Sequence, residues 1–188
     1  YAPHIGKRWN YGNPPKQNQI LSIRPPGFLM KERKVEPLYD GLRKFLMLYP
    51  GAKSNLRIEF VGRFHDEPEP PNDLRGVVRF HEFINPDKIW NWLQDGDVFL
   101  LVEANLKKGI FFPSKLADYL TGRRYILALS PKEGIAADFL AQGGGIVVAP
   151  EDVDGIAHAL SEVYQAWKKG VLGNQVPPEE VRNVVSAD

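Results

Sequence analysis

The residues best suited to chemistry cluster in "VEANLKKGIFFPSKLADYL", residues 102–120. An apolar run ends at Pro113, and Ser114, Lys115 and an amphipathic stretch follow. Proline at a helix start costs no needed donor, because the first N–H groups of a helix have no partner within it. The N–H groups of Ser114 and Lys115 would then point out of the first turn, where the positive end of the helix favours an anion. A phosphate there would meet those amides, the Ser114 hydroxyl and the Lys115 ammonium. A plain helix cap beside a solvated lysine accounts for the same residues, and both readings stand at this level. Asp118 lies four residues after Ser114, on the same helical face. A carboxylate placed so accepts hydrogen bonds from the vicinal hydroxyls of a ribose in other nucleotide sites. An exposed aspartate on an amphipathic helix is the alternative.

A second group is basic. Arg24 follows the short apolar run "QILSI", and Lys31, Arg33 and Lys34 follow in a loop with proline and glycine. Such a loop at the carboxyl end of a strand can neutralise a diphosphate; a solvated charge run fits equally well. Arg63, after a second apolar run, carries the same two readings. His4, His65, His81 and His158 show no metal-ligand spacing, and no metal site is expected. His81 falls late in a strand, near the edge where a ligand would lie. No nucleophile-elbow pattern is present. "GGG" at residues 143–145 precedes a strand, whereas phosphate loops follow one, so it reads as a helix stop and turn.

These groups need elements to hold them. The periodicities predict strands over 19–23, 56–62, 77–83, 97–103, 125–129 and 146–149. They predict helices over 37–49, 85–94, from Pro113 onward, about 133–141, and from near Pro150 to Gly170. Asn85, Pro86 and Asp87 form a strong start signal: a capping residue, a proline at the first position and an acid at the positive end. "DVFLLVE" is almost wholly apolar, as expected of a strand buried on both faces. Strand and helix alternate nearly throughout, which calls for a Rossmann-like parallel sheet of about six strands with helices on both faces, an α/β fold. The proline-rich stretch between the second and third strands lacks a clear crossover helix.

Composition narrows the function classes. The chain has 188 residues, a formal net charge of +1 and no cysteine. Bulk charge argues for neither nucleic acid nor an anionic membrane as partner. A thiol nucleophile, a thiolate metal site and a disulfide framework are excluded. No apolar run approaches the roughly 18–20 residues of a membrane span. Residues 1–18 read as a linker or arm, 19–170 as the α/β domain, and 171–188 as a tail leading into a helix that is cut off. The start at Tyr1 and that ending predict a piece of a longer, cytoplasmic protein, with room for peripheral attachment to a membrane.

The ordered set "DGDVFLLVE…KKGIFFPSKLADYLTGRRYILAL…GGGIVVAPEDVDGIAHAL" resembles the C-terminal, nucleotide-sugar-binding domain of retaining GT-B glycosyltransferases, the glycosyl transferases group 1 family. The resemblance implies one lobe of a two-lobed fold. It implies transfer of a sugar, of hexosyl type, from a nucleotide diphosphate sugar (UDP- or GDP-linked) to an acceptor hydroxyl, with retention and without a metal or other cofactor. It places the diphosphate at Pro113, Ser114 and Lys115, the ribose at Asp118, and the base near Phe83–Asn85. It assigns leaving-group stabilisation to Arg24 and to Lys31 or Lys34. The acceptor site would belong to a missing N-terminal domain, so this piece alone is expected to be inactive. The family's first carboxylate, which faces the sugar, would fall at Ile110 and is missing here. That departure keeps two other readings open: a non-catalytic nucleotide-sugar-binding or interaction module, and, ranked lower, a sugar-nucleotide epimerase.

Overall fold

Alternation decides which faces of the sheet are buried. The computed structural model describes residues 17–25, 34–62, 69–81 and 84–185. Its strands are β1 (Leu21–Arg24), β2 (Leu56–Val61), β3 (Val78–His81), β4 (Val98–Val102), β5 (Tyr125–Leu129) and β6 (Gly145–Val148). All pair in parallel, in the order β3-β2-β1-β4-β5-β6. In β1, β2 and β3 apolar and polar residues take turns. Leu21, Ile23, Leu56, Ile58, Phe60 and Val78 therefore enter one core, while Ser22, Arg24, Arg57, Glu59 and Arg79 face the other way. β4 is different: Val98, Leu100 and Val102 enter the first core, and Phe99 and Leu101 enter a second one. A strand in the middle of the sheet with helices on both sides has no polar face to offer.

The helices are α1 (Glu36–Leu48), α2 (Ala52–Asn55), α3 (Pro86–Gln94), α4 (Ser114–Thr121), α5 (Ile135–Leu140), α6 (Val153–Lys168) and α7 (Glu179–Val185). α1 and α6 pack together over the first core. α3, α4, α5 and α7 contribute Leu93, Leu116, Leu120, Ala136, Leu140, Val181 and Val185 to the second. Right-handed crossovers explain the division. From β1 to β2 the sheet grows one way, and from β4 to β6 it grows the other, so the connecting helices must lie on opposite faces.

The connection expected to be weak is made by a short turn of helix at Asn72–Leu74, whose Leu74 joins the first core on the same face as α1. It is too short to leave a periodic trace, as is α2. The tail that reads as a cut-off helix holds α7, packed on α4 with Val181 and Val185 buried. Two of the one-residue boundary shifts bear on the site. Arg24 is the last residue of β1, not the first of a loop, and pairs with Phe99. Pro113 is the extended residue before α4, with φ −64° and ψ 120°, so the helix opens at Ser114.

Among the described residues no helix is long and apolar enough to cross a membrane. The α1–α6 contact is close. A Cβ placed on Gly41 would sit 2.5 Å from Cγ2 of Ile156 and 3.2 Å from the Val153 carbonyl oxygen. Gly41→Val is therefore expected to destabilise the chain by about 1–3 kcal/mol in urea unfolding, the usual range for overpacking. A valine variant as stable as the parent would show that the two helices do not meet here.

Candidate functional site

The single reversal of strand order falls between β1 and β4. In open α/β sheets a crevice forms at the carboxyl ends of the strands at such a point. Here a cleft of ≈ 310 Å³ lies at that edge, lined by Lys34, Pro37, Glu103, Asn105, Pro150 and Glu151 among others. Three connections build it. Lys34 and Pro37 belong to the entry into α1, residues 103–106 follow β4, and Pro150 and Glu151 lead from β6 into α6.

Glu103 is the most firmly held of these groups. Its amide donates to the Leu129 carbonyl at 2.9 Å, and its carboxylate accepts from the buried Ser130 hydroxyl at 2.5 Å. The Ser130 amide in turn donates to the Val148 carbonyl at 2.9 Å. Glu103 thus hangs from the ends of β5 and β6 while remaining half-exposed to the cleft. On the far wall, Lys34 and Glu151 stand 4.0 Å apart, both well exposed. Such a pair contributes little to stability and leaves the ammonium available to a ligand. The Asp152 carboxylate accepts the Gly155 amide at 2.9 Å, capping α6, and meets Lys132 at 3.2 Å. The bond from the Gly155 amide, with Lys132 adding to it, holds the Asp152 carboxyl below its ordinary value of 3.8.

The loop from Glu103 to Pro113 is pinned at its middle. The Gly109 amide donates to the Glu133 carbonyl at 2.8 Å, and the Ile135 amide to the Gly109 carbonyl at 3.2 Å. Gly134 permits this approach, with φ +131° and only 2.3 Å between a hypothetical Cβ and the Gly109 oxygen. α4 then opens at the same sheet edge but on the other face. Ser114 is exposed and has no hydrogen-bond partner among the described residues. Lys115 and Asp118 are half-buried and already engaged. None of Pro113, Ser114, Lys115 or Asp118 lines the cleft. The expected residues therefore divide into two groups, one on each side of the end of β4.

Arg24 does not join either group. Its guanidinium donates through Nη1 to the Trp92 carbonyl, donates through Nε to Ser22 Oγ at 2.9 Å, and stacks 4.8 Å from the centre of the Trp92 ring. It also lies 3.5 Å from Glu59. Trp92 is in the last turns of α3, so the Arg24 side chain is held against that helix. Among the described residues the contacts of Arg24 are with Trp92, Ser22 and Glu59, and Ser114 is not one of them. Asn85 is exposed, and its carbonyl accepts from the Lys88 and Ile89 amides at 2.8 and 3.2 Å as α3 begins. Lys31 and Phe83, with Arg33 and Arg63, lie outside the described residues. His81 is at the end of β3, where Nε2 is 3.2 Å from Oε1 of Glu59. Sequence reasoning missed Glu103 and Ser130. The available signal was a carboxylate directly after the most apolar strand, followed by a serine after the next.

No protein-family model matches the chain, and no curated protein matches its sequence. Its fold does match solved structures. The C-terminal domain of a glycosyl transferase group 1 family protein, LpcC from Francisella tularensis, is 16% identical, covers 95% of this chain and 93% of that one, and gives a TM-score of 0.61. The S. aureus protein TarM, in a complex that includes UDP, is 10% identical with a TM-score of 0.66, covering 95% of this chain and 34% of that one. An E. coli structure described as trehalose-6-phosphate bound with UDP-2-fluoro glucose is 14% identical with a TM-score of 0.60, covering 89% and 40%. The chain thus spans well under half the length of several proteins it resembles. The likeness establishes the fold: a Rossmann-like domain of the kind that forms the C-terminal lobe of GT-B glycosyltransferases.

Asp152 shapes the cleft wall through its cap, and its effect on stability has a definite pH dependence. Because its carboxyl titrates lower when folded than when unfolded, its contribution is complete above about pH 4 and fades as pH falls through the folded value. Asp152→Ala is expected to cost about 1 kcal/mol at neutral pH, as lost helix caps do. The gap between parent and variant should close in acid. Urea unfolding at pH 7 and at pH 3 checks both statements, and a gap that widens in acid would contradict the assignment.

Proposed function

We propose that this chain is the donor-binding lobe of a glycosyltransferase, and that a nucleotide diphosphate sugar lies across the end of β4. One observation carries the reading. At the one reversal of strand order among the described residues, the carboxyl edge offers an open cleft with Lys34, Glu103 and Asn105 on one side of β4 and the exposed start of α4 on the other. A ligand with a base, a diphosphate and a sugar is long enough to use both sides.

In this reading the first N–H groups of α4 and the exposed Ser114 hydroxyl receive the diphosphate, with Lys115 nearby. Asp118 accepts from the ribose hydroxyls, and the base extends toward Asn85. Glu103, fixed by Ser130, accepts from hydroxyls of the sugar, and Lys34 supplies the cation that Arg24 cannot. As the bond from sugar to phosphate breaks, negative charge grows on the diphosphate. Prearranged donors and cations stabilise that charge more than they stabilise the bound substrate. This chemistry asks for no metal if the ammonium and the helix end are in place. UDP in two of the similar structures favours a uridine diphosphate donor over a guanosine one. The acceptor hydroxyl would come from a second lobe, and retention of configuration and a cytoplasmic setting belong to the same proposal.

A second reading has its own observation. Ile110, where the family's first carboxylate would stand, is 62% exposed and offers no oxygen to a sugar. A lobe that binds a nucleotide sugar without transferring it would look the same. Sugar transfer by a protein in which this chain is joined to an acceptor lobe separates the two.

The binding half is tested by titration calorimetry of UDP and of uridine. Asp118→Ala is expected to weaken both by about 1.5–3 kcal/mol, the range for hydrogen bonds to a charged group. Lys34→Gln is expected to weaken UDP and leave uridine unchanged. Equal affinities in parent and both variants would remove the site from this edge.

A further inference from the structure

Half of one sheet face carries charge instead of a core. On the α3 side of β1, β2 and β3, a groove of ≈ 500 Å³ runs along the amino half of the strands, lined by Ser22, Arg24, Arg57, Glu59 and Arg79 and by the approach to β1 at residues 18–20. Its size falls within the range of small-molecule sites, roughly 300–1,000 Å³. α3 crosses only the upper part of this face, where Trp92 touches Arg24 and lies edge-on to His81 at 6.2 Å.

The charges in the groove do not balance. Among the described residues three guanidinium groups line it against one carboxylate, with Asp97 behind the Asn18 and Ser22 amides, so positive charge is in surplus. Both oxygens of that carboxylate are already in use. Oε2 of Glu59 accepts from Ser22 Oγ at 3.3 Å and lies 3.5 Å from Arg24, and Oε1 meets His81 at 3.2 Å. Arg57 lines the groove and donates through Nη1 to the Lys53 and Leu56 carbonyls at 3.3 and 2.6 Å, while its Nε and Nη2 have no partner among the described residues. Arg79 is exposed and has no partner among the described residues. Arg79 pairs in register with Glu59, two residues after Arg57 on the neighbouring strand. Strand spacing and rise put the two arginine backbones about 8 Å apart, close enough for both forks to reach one tetrahedral anion. The floor is rigid, because β1, β2 and β3 are paired strands and Asp97 holds the Asn18 and Ser22 amides at 3.0 and 2.9 Å.

We propose that this groove is a second binding site, separate from the carboxyl-edge cleft, for a small soluble phosphate monoester. A phosphomonoester carries about −1.5 to −2 charge at neutral pH and three acceptor oxygens, which matches both the charge surplus and the two available guanidinium forks. Ser22 and Asn18 supply the polar surroundings that an uncharged, hydroxyl-bearing remainder of the ligand would use. The inference does not depend on the donor site and fails or holds apart from it.

The test uses the full chain with glycerol phosphate as probe, glycerol as its uncharged control, and calorimetry together with broadening of the phosphorus resonance as readouts. Glycerol phosphate is expected to bind and glycerol not to bind. Arg79→Gln, at an exposed position, should keep the parent's melting temperature and lower affinity at least tenfold, with Arg79→Lys intermediate. Lys34→Gln, in the other cleft, should leave glycerol phosphate affinity unchanged. Absence of binding, or binding that survives Arg79→Gln, overturns the site. Loss of binding in Lys34→Gln would place the anion in the carboxyl-edge cleft and overturn it too. Vesicles containing phosphatidate should not retain the chain; retention on them without binding of free glycerol phosphate overturns the assignment to a soluble ligand.

Discussion

The architecture depends on the handedness of crossover connections. Each parallel connection in the sheet must turn to the right, and the sheet grows in two directions from its centre. α1 and the short turn at Asn72–Leu74 must therefore cover one face, and α4 and α5 the other. β4 lies where the two directions meet and is buried on both sides, so all five of its residues are apolar. The connection leaving it, residues 103–106, lines the cleft at the carboxyl edge. The same constraint demands that this loop be anchored by something other than a helix. Glu103 to Ser130 and the reciprocal bonds between Gly109 and residues 133–135 provide the anchors.

Much of this was legible in the sequence because hydrophobic periodicity reports burial directly. "DVFLLVE" announces a strand covered twice, and Leu38, Leu42 and Phe45 announce the inner face of α1. Strict alternation in "LSIR", "LRIE" and "VRFH" carries further information: one side of these three strands meets water. The short turn at residues 72–74 and α2 left no trace because a single turn cannot show a period. Nothing in the local sequence says that Leu74 is buried; only the fold supplies the core it enters.

Arg24 illustrates the limit more sharply. An arginine after an apolar run reads as the first residue of a loop, and a loop residue at a ligand edge reads as a ligand contact. One residue of strand changes the outcome. With Ile23 in the core, Arg24 must point to the opposite face, level with Ser22 and toward Glu59. Its side chain is 14% exposed, and its guanidinium is consumed by a carboxylate, a hydroxyl, a carbonyl and an indole. Removing such a group from its partners to meet a phosphate would leave Glu59 half-buried with only the Ser22 hydroxyl and His81, without its cation, which is costly. Parity within the strand, more than proximity to its end, decided what this side chain does.

The distribution of polar groups around the end of β4 bears on which ligand suits the edge. Lys34 and Glu103 open on the side of α1 and α6, whereas Ser114 and Asp118 sit on the side of α4. A single phosphate is too small to touch both sets, so it would leave one set of donors and acceptors in water with nothing gained. A lone sugar would use Glu103 and Asn105 but bring no anion to Lys34 or to the helix start. Only a ligand with a charged middle and two hydroxyl-bearing ends places acceptors against the helix N–H groups and donors against Asp118 and Glu103 at once. Each end then contributes binding free energy at a distance from the reacting bond, and such remote contacts can offset the cost of holding the diphosphate in position for cleavage. The carboxylate absent at Ile110 is the one element of that scheme the lobe does not supply. In the proposed reading Glu103 would take its place on this edge, and its bond to the buried Ser130 hydroxyl would fix where a sugar hydroxyl lies.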